Sequence, residues 1–292
     1  TTETDVLTIN GSQLNYKAFG TSSIMFGDTT TGTISGANYN TGVGIDVFAA
    51  LTTGDENIAL GYSALNDLTT GSSNTAMGST AGGKITTGGS NVALGADSLK
   101  NTTTASDNTA VGKNALTANT SGTVNTAVGS TALSANTTAA SNTAIGYGAL
   151  ATATTGGLNT AVGRSALLDL TTGTPNVAVG AYAGQSVTTG ASNTFIGYQA
   201  GDATTTADGN TAVGRDSLVA NTTGASNTAV GAYALDANTT AEYNTAVGKD
   251  AAGAITTGAA NTAVGKSALE TATTAANNTA LGAYALRVST SG

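Results

Sequence analysis

A five-residue motif, Asn-Thr-Ala-Val-Gly or a close variant, recurs every 17 residues from Asn40 to Asn278 without insertion or deletion. Each of the fifteen copies is numbered from its Asn as positions 1 to 17. A globular enzyme tolerates loops of variable length, whereas fixed spacing over this distance requires every unit to stack in one geometry. The sequence therefore predicts a solenoid, with an N-terminal cap over 1–39 that includes a degenerate coil at 23–39, and fifteen coils over 40–292.

Each repeat opens with a segment that favours a strand. Position 2 is Thr, Val or Ile, position 4 is aliphatic or Met, and position 5 is Gly in all fifteen copies. Helical repeats need more than about 30 residues per unit, so the pattern predicts an all-β, parallel β-solenoid with 17-residue coils. Stacked coils would place the position 1 Asn side chains about 4.8 Å apart, in a ladder of amide hydrogen bonds.

The strand pattern also bears on burial and assembly. Positions 2 and 4 point to one face of the strand and position 3 to the other, and all three are small or apolar. We expect position 4, for example Val128, Ile145, Val162 and Val179, to be fully buried inside the coil. Because a 17-residue coil cannot cover both faces itself, the other face should meet partner chains, and a uniform strip favours rotational symmetry. The expected assembly is a homotrimer.

The N-terminal segment differs from the repeats. Ser23-Ile24-Met25-Phe26-Gly27 lies one period before Asn40 and fits a degenerate coil, while Asp5 to Gly11 has the pattern of a strand followed by a turn at Asn10-Gly11. This segment is expected to cap the first edge of the solenoid, which would otherwise be open to end-to-end pairing. The chain also stops partway through a repeat, so we expect a processed chain or an excerpt of a longer one.

The composition excludes several classes of function. The chain has no Cys and no His, which removes disulfides, thiolate nucleophiles, common zinc sites and His-dependent catalysis. Its net charge of −8 argues against a nucleic-acid partner, and no apolar run is long enough to insert into a membrane. Carboxylates are dispersed and no insertion builds a pocket, so we expect no enzyme activity, no cofactor and no metal site.

Positions 6 and 7 vary freely and should face solvent. They carry six of the nine Tyr residues, and exposed Tyr can stack on sugars or anchor a protein contact. The expected partner is a cell-surface glycan or a protein receptor, and the alternative is scattered surface aromatics without a ligand. The candidate recognition residues are Tyr62, Tyr147, Tyr182, Tyr198, Tyr233 and Tyr284.

Two rows of hydroxyls suggest a different function. Position 13 is Thr in every copy and position 14 is Thr or Ser, so an ice- or surface-binding solenoid acting through its Thr rows is the alternative. Adjacent Thr residues on an extended segment point to opposite sides, however, so one row should turn inward and satisfy backbone groups at the corner.

The run Asn-Thr-Ala-Val-Gly-x-x-Ala-Leu resembles the head repeat of YadA-type trimeric autotransporter adhesins, and is equally similar to repeats of phage and bacterial tail fibres. The resemblance covers residues 40–292 and implies a left-handed parallel β-roll that trimerises. It also implies an extracellular location, at a cell surface or on a virion appendage. The function expected on this basis is a structural and adhesive fibre, the shaft or head of a tail fibre or surface appendage. The 17-residue unit is longer than the adhesin head repeat by an extended Thr-Thr-Gly corner.

Overall fold

A computed structural model of the chain describes residues 6–9, 12–27 and 34–287. Over these residues the protein is an all-β parallel solenoid of about fifteen coils, and no helix occurs among them. The predicted solenoid class is therefore confirmed. The coils belong to two compact units, Thr1–Asn142 and Thr143–Gly292.

The first unit begins with an antiparallel hairpin that leads into the parallel stack. Strand β2 (Ser12–Phe19) pairs antiparallel with β1 (Val6–Ile9) on one side and with β3 (Ser23–Gly27) on the other, and β3 then pairs in parallel with β4 (Thr41–Gly44). Ser23 takes the place of the repeat Asn, since the Asn40 backbone N–H donates to its Oγ at 2.9 Å. The turn expected at Asn10-Gly11 lies outside the described residues.

Every later coil contributes one three-residue strand at positions 2 to 4. Neighbouring strands pair in parallel and in register, so that equivalent positions of successive coils lie side by side. In the first unit the strands are β5 Ile58–Leu60, β6 Thr75–Met77, β7 Val92–Leu94, β8 Thr109–Val111 and β9 Thr126–Val128. In the second unit they are β10 Thr143–Ile145, β11 Thr160–Val162, β12 Val177–Val179, β13 Thr194–Ile196, β14 Thr211–Val213, β15 Thr228–Val230, β16 Thr245–Val247, β17 Thr262–Val264 and β18 Thr279–Leu281.

The position 1 Asn side chains form the predicted ladder. Asn57 donates its backbone N–H and its Nδ2 to Oδ1 of Asn40, at 2.9 and 3.0 Å, and Nδ2 also donates to the Gly71 carbonyl at 3.0 Å. In the second unit, Asn261 donates to Oδ1 of Asn244 in the same way. These Asn side chains are buried, so each bond satisfies a polar group that water cannot reach. The invariant Asn is a structural residue.

The invariant Gly at position 5 is required by the close approach of successive coils. Gly231 has a φ of 138°, and a Cβ atom there would lie 2.6 Å from the carbonyl carbon of Gly248 in the next coil. No side chain fits at that distance, and L-residues rarely adopt that backbone conformation. The glycine therefore allows the stacking as well as ending the strand.

The prediction that position 4 is buried is wrong. Ile145 is 40% exposed and Val179 is 37% exposed, whereas the position 3 side chains, such as Ala161, are fully buried. Val128 and Val162 are only partly buried. The narrow interior already holds the side chains of positions 8, 9 and 12, so only the small position 3 residue fits inside and the larger ones at positions 2 and 4 point outward.

Positions 8 and 9 are buried and form a turn. Leu167, for example, is fully buried with a φ of 49°, a conformation that is uncommon for Leu. The one bulky position 3 residue, Phe195, is matched by glycines at position 9, because a Cβ at Gly184 would lie 2.6 Å from its ring. Gly184 belongs to the preceding coil, and Gly201 of the same coil as Phe195 also approaches the ring. Interior volume is thus balanced between neighbouring coils.

Position 12 changes character along the core. It is apolar in most coils, but three consecutive coils in each unit carry buried polar side chains there. Those side chains bond each other from coil to coil, as where Asn136 Nδ2 donates to Asn119 Oδ1 at 3.0 Å. The two polar triads lie 102 residues apart in the sequence: Thr102, Asn119 and Asn136, then Thr204, Asn221 and Asn238.

Candidate surface-recognition sites

Each coil turns a corner directly after its strand, and this corner presents the variable side chains of positions 6 and 7. Position 7 adopts a left-handed backbone conformation, with φ near 60° at Tyr182, Tyr233 and Tyr284. The corner therefore recurs in one geometry in every coil. We call the following residues of the second unit the corner ridge: Tyr147, Arg164, Tyr182, Tyr198, Arg215, Asp216, Tyr233, Lys249, Asp250, Lys266 and Tyr284.

The six predicted Tyr residues all lie at this corner, one of them in the first unit. Tyr62, Tyr147, Tyr198 and Tyr284 are exposed, whereas Tyr182 and Tyr233 are partly buried. Tyr182 and Tyr198 contact each other edge to face, with ring centroids 6.1 Å apart. Among the described residues no aromatic ring contact involves Tyr62 or Tyr147, so the structure brings together only some of the six predicted Tyr residues.

The cations beside these rings were not identified from the sequence. The Arg164 guanidinium lies 5.4 Å from the Tyr182 centroid, and that of Arg215 lies between Tyr198 and Tyr233, at 5.9 and 5.7 Å. Side chains from Tyr182 to Tyr233 therefore form a continuous aromatic and cationic surface. An open depression lies between Tyr198 and Arg215.

The same arrangement recurs further along the chain. Lys266 Nζ lies 5.4 Å from the Tyr284 centroid, and the Arg287 guanidinium lies 5.6 Å from it. At exposed sites such cation–π contacts orient the side chains but add little to the stability of the fold. A sequence signal for these cations exists: Lys113, Arg164, Arg215 and Lys266 all occupy position 6 and are spaced 51 residues apart.

Only part of this positive charge is neutralised within the unit. Arg215 Nε lies 2.8 Å from Asp216 Oδ2, and Lys249 Nζ lies 3.1 Å from Asp250 Oδ2. Within the described ranges, Arg164 and Lys266 form no ion pair with a carboxylate. A hydrogen bond with the Tyr284 hydroxyl raises the pKa of Lys266, so its ammonium stays protonated at neutral pH.

A second candidate surface lies on the outer face of the parallel sheet. The position 4 side chains form an uncharged apolar row, which we call the outer strip. In the first unit it comprises Val43, Leu60, Met77, Leu94, Val111 and Val128, and in the second Ile145, Val162, Val179, Ile196, Val213, Val230, Val247, Val264 and Leu281. Position 2 adds Thr, Val and Ile on the same face.

The two Thr rows differ in what they can contact. The position 13 hydroxyls donate to backbone carbonyls of the next coil, as from Thr69 Oγ1 to the Thr86 carbonyl at 3.0 Å and from Thr171 to Thr188 at 3.0 Å. Position 14 hydroxyls are exposed. The hydroxyls with protons free for an external ligand therefore form a single row rather than a two-row face.

Other kinds of site find no support in the part of the chain that the structure describes. It contains no group of three or more acidic side chains that could hold a metal ion. Nor does that part contain a helix that could span a membrane. No family model matches the chain, and no curated protein and no solved structure matches it. The resemblance to trimeric adhesin and tail-fibre repeats therefore stays a prediction.

Proposed function

We propose that this protein is a structural and adhesive fibre component that acts as a homotrimer without catalysing a reaction. The observation that carries the proposal is the outer strip, an uncharged apolar row that continues from coil to coil in each unit. Parallel sheets are almost always covered on both faces, and large exposed apolar patches mark interaction sites. Another copy of the same chain fits this surface.

The repeated geometry favours self-association over a different partner. A uniform strip with one coil repeat matches only a surface of the same repeat, and a second copy of the chain supplies that surface. Three copies around a common axis would cover all three strips at once, which closed rotational symmetry allows. The proposed form is a left-handed roll, as in the repeats that the sequence resembles, exposed at a cell surface or on a virion appendage.

The mass of the native protein tests this proposal. We expect light scattering and native mass spectrometry to give three times the chain mass of 28.0 kDa. A Val179→Asp, Ile196→Asp double variant places carboxylates in the outer strip of two neighbouring coils and should dissociate the trimer. The matched control is Thr189→Asp, Thr206→Asp, which changes exposed position 14 residues of the same two coils and should leave the mass unchanged.

A cross-linking experiment covers the case in which the charged variant fails to fold. The chain has no Cys, so Val179→Cys introduces a single thiol in the outer strip and Thr189→Cys introduces one at the control position. A short bismaleimide should link the first variant into covalent dimers and leave the second as single chains. A stable monomer in the unmodified protein, or cross-linking at both positions alike, would refute the trimer through this strip.

A further inference from the structure

The corner ridge has a longer period than the coil. A cation at position 6 of one coil faces a Tyr at position 7 of the next, and this pair occurs three times at 51-residue intervals in the second unit. We call these the cation–tyrosine pairs: Arg164 with Tyr182, Arg215 with Tyr233, and Lys266 with Tyr284.

The three pairs share one geometry. The distances from cation to ring centroid are 5.4, 5.7 and 5.4 Å. All three Tyr residues have the same left-handed backbone, with φ between 59° and 61°. Since pairs are three coils apart and each coil adds about 4.8 Å, the sheet ladder holds them about 14 Å from one another. The second unit thus presents three equivalent groups at a fixed interval.

Positive charge in this unit is concentrated at the same corner. The described part of the second unit contains five cationic residues, four at position 6 and the fifth beside Tyr284: Arg164, Arg215, Lys249, Lys266 and Arg287. If charge in this unit served only solubility, its cations would not be confined to one corner of the coil. Arg215 donates a hydrogen bond from Nε to Asp216, so its two terminal amino groups can bind a ligand.

We infer that the second unit binds a linear acidic polysaccharide along the corner ridge, with each cation–tyrosine pair acting as one subsite. In each subsite the Tyr ring packs against the apolar face of a sugar, and the neighbouring cation binds a sugar carboxylate. Tyr198 continues the stacking surface between the first two subsites, because it contacts both Tyr182 and Arg215. This inference deepens the proposed adhesive function and rests on it.

The spacing argues against other polymers. Nucleic acids carry a phosphate every few ångströms and need a dense cationic surface, whereas this ridge offers one pair about every 14 Å on a chain of net charge −8. A folded protein partner would not need three identical subsites at equal intervals. A polymer with a regular repeat would present the same group to each of them. Three weak subsites on one rigid unit raise the overall affinity by about 10² to 10⁴ over a single one.

Affinity electrophoresis of the whole protein in gels that contain polygalacturonate, alginate or hyaluronate tests the inference. We expect retardation by at least one of them, reduced by salt, with no retardation by dextran. Fully methyl-esterified polygalacturonate isolates the role of the carboxylates and should bind much more weakly than the free acid. Absence of retardation in all three acidic gels would overturn the inference.

Variants test the equivalence of the three subsites. Tyr182→Ala, Tyr233→Ala and Tyr284→Ala should each weaken binding by a similar factor, and the triple variant Arg164→Gln, Arg215→Gln, Lys266→Gln should abolish it. Tyr243→Ala is the matched control, since Tyr243 lies in the same unit and is 65% exposed but occupies position 17. Undiminished binding by the triple variant, or an equal loss in the control, would contradict the inference.

Light scattering on the same samples separates this inference from the proposed function. Loss of polysaccharide binding in a variant that keeps three times the chain mass bears on the ridge alone. A monomeric protein that still binds acidic polysaccharide through the ridge would refute the trimer and leave the ridge assignment intact.

Discussion

Replacing the position 5 glycine with alanine should separate neighbouring coils. In Gly231→Ala the new Cβ would lie 2.6 Å from the Gly248 carbonyl carbon, and two carbons need about 3.5 Å, so the two backbones must move apart by about 1 Å. The ladder bonds from the Gly248 N–H to the Val230 carbonyl, at 2.7 Å, and from the Asp250 N–H to the Ala232 carbonyl, at 3.0 Å, would then exceed hydrogen-bond distance.

The magnitude follows from the contacts that are lost. A residue other than Gly at a φ of 138° costs about 1 to 3 kcal/mol, and two ladder bonds contribute about 0.5 to 1.5 kcal/mol each. The local free energy of opening should therefore fall by about 2 to 6 kcal/mol. At 1.4 kcal/mol per factor of ten, amide hydrogen exchange in these coils should accelerate roughly 30-fold or more.

The control is Gly209→Ala at position 17. Gly209 also has a positive φ, 69°, but the nearest atom to its added Cβ is Ser226 Oγ at 3.7 Å, so only about 1 kcal/mol of backbone strain is expected. Hydrogen exchange followed by mass spectrometry of peptides measures both variants. Because each coil contacts only its neighbours, the loss should stay local. If Gly231→Ala loses no more protection than Gly209→Ala, the close-approach explanation fails.

Two further predictions concern the core and the pH dependence. Phe195→Ala should empty the space between Gly184 and Gly201 and lower the free energy of unfolding in urea by about 3 to 5 kcal/mol. Adding Gly184→Leu and Gly201→Leu should restore part of this free energy. No recovery would contradict the volume balance. Burial raises the pKa of Asp202 and Asp236 above the ordinary value of 3.8. The stability that their protonated forms contribute is therefore fully present below pH 3.8 and is lost as the pH rises through the raised pKa values. Replacing both with Asn should raise the melting temperature at pH 7 but not at pH 3, and an equal rise at both pH values would refute this assignment.

Much of the fold could be predicted from the repeat. Strict spacing forces one geometry on every coil, and the Asn ladder followed from stacking identical residues at strand distance. The inside and outside of the strand could not be assigned from alternation, since alternation says only that positions 2 and 4 share a face. The informative signal was size: Ala at position 3 in nearly every coil suits an interior already filled by Leu at position 9.

The corner geometry and the cations of the ridge were harder to predict. Leu at position 9 adopts a left-handed φ, as Leu167 does, because tertiary packing overrides the local preference. The Tyr row was evident because aromatics are few in this chain. In the sequence the cations beside it are indistinguishable from ordinary solvated charges, because only the distances between side chains place them at the Tyr rings.

The in-register ladder makes the coil the natural unit of genetic change in this protein. Within either unit, duplicating or deleting a whole multiple of 17 residues at a coil boundary joins the same backbone edges and leaves the remaining contacts intact. A change of any other length breaks the Asn bonds at the junction. A gain or loss of 51 residues also preserves the interval of the cation–tyrosine pairs, and one of 102 residues preserves the polar triads of the core as well. Recombination between repeats can therefore change the number of cation–tyrosine pairs while it keeps the backbone geometry of every coil.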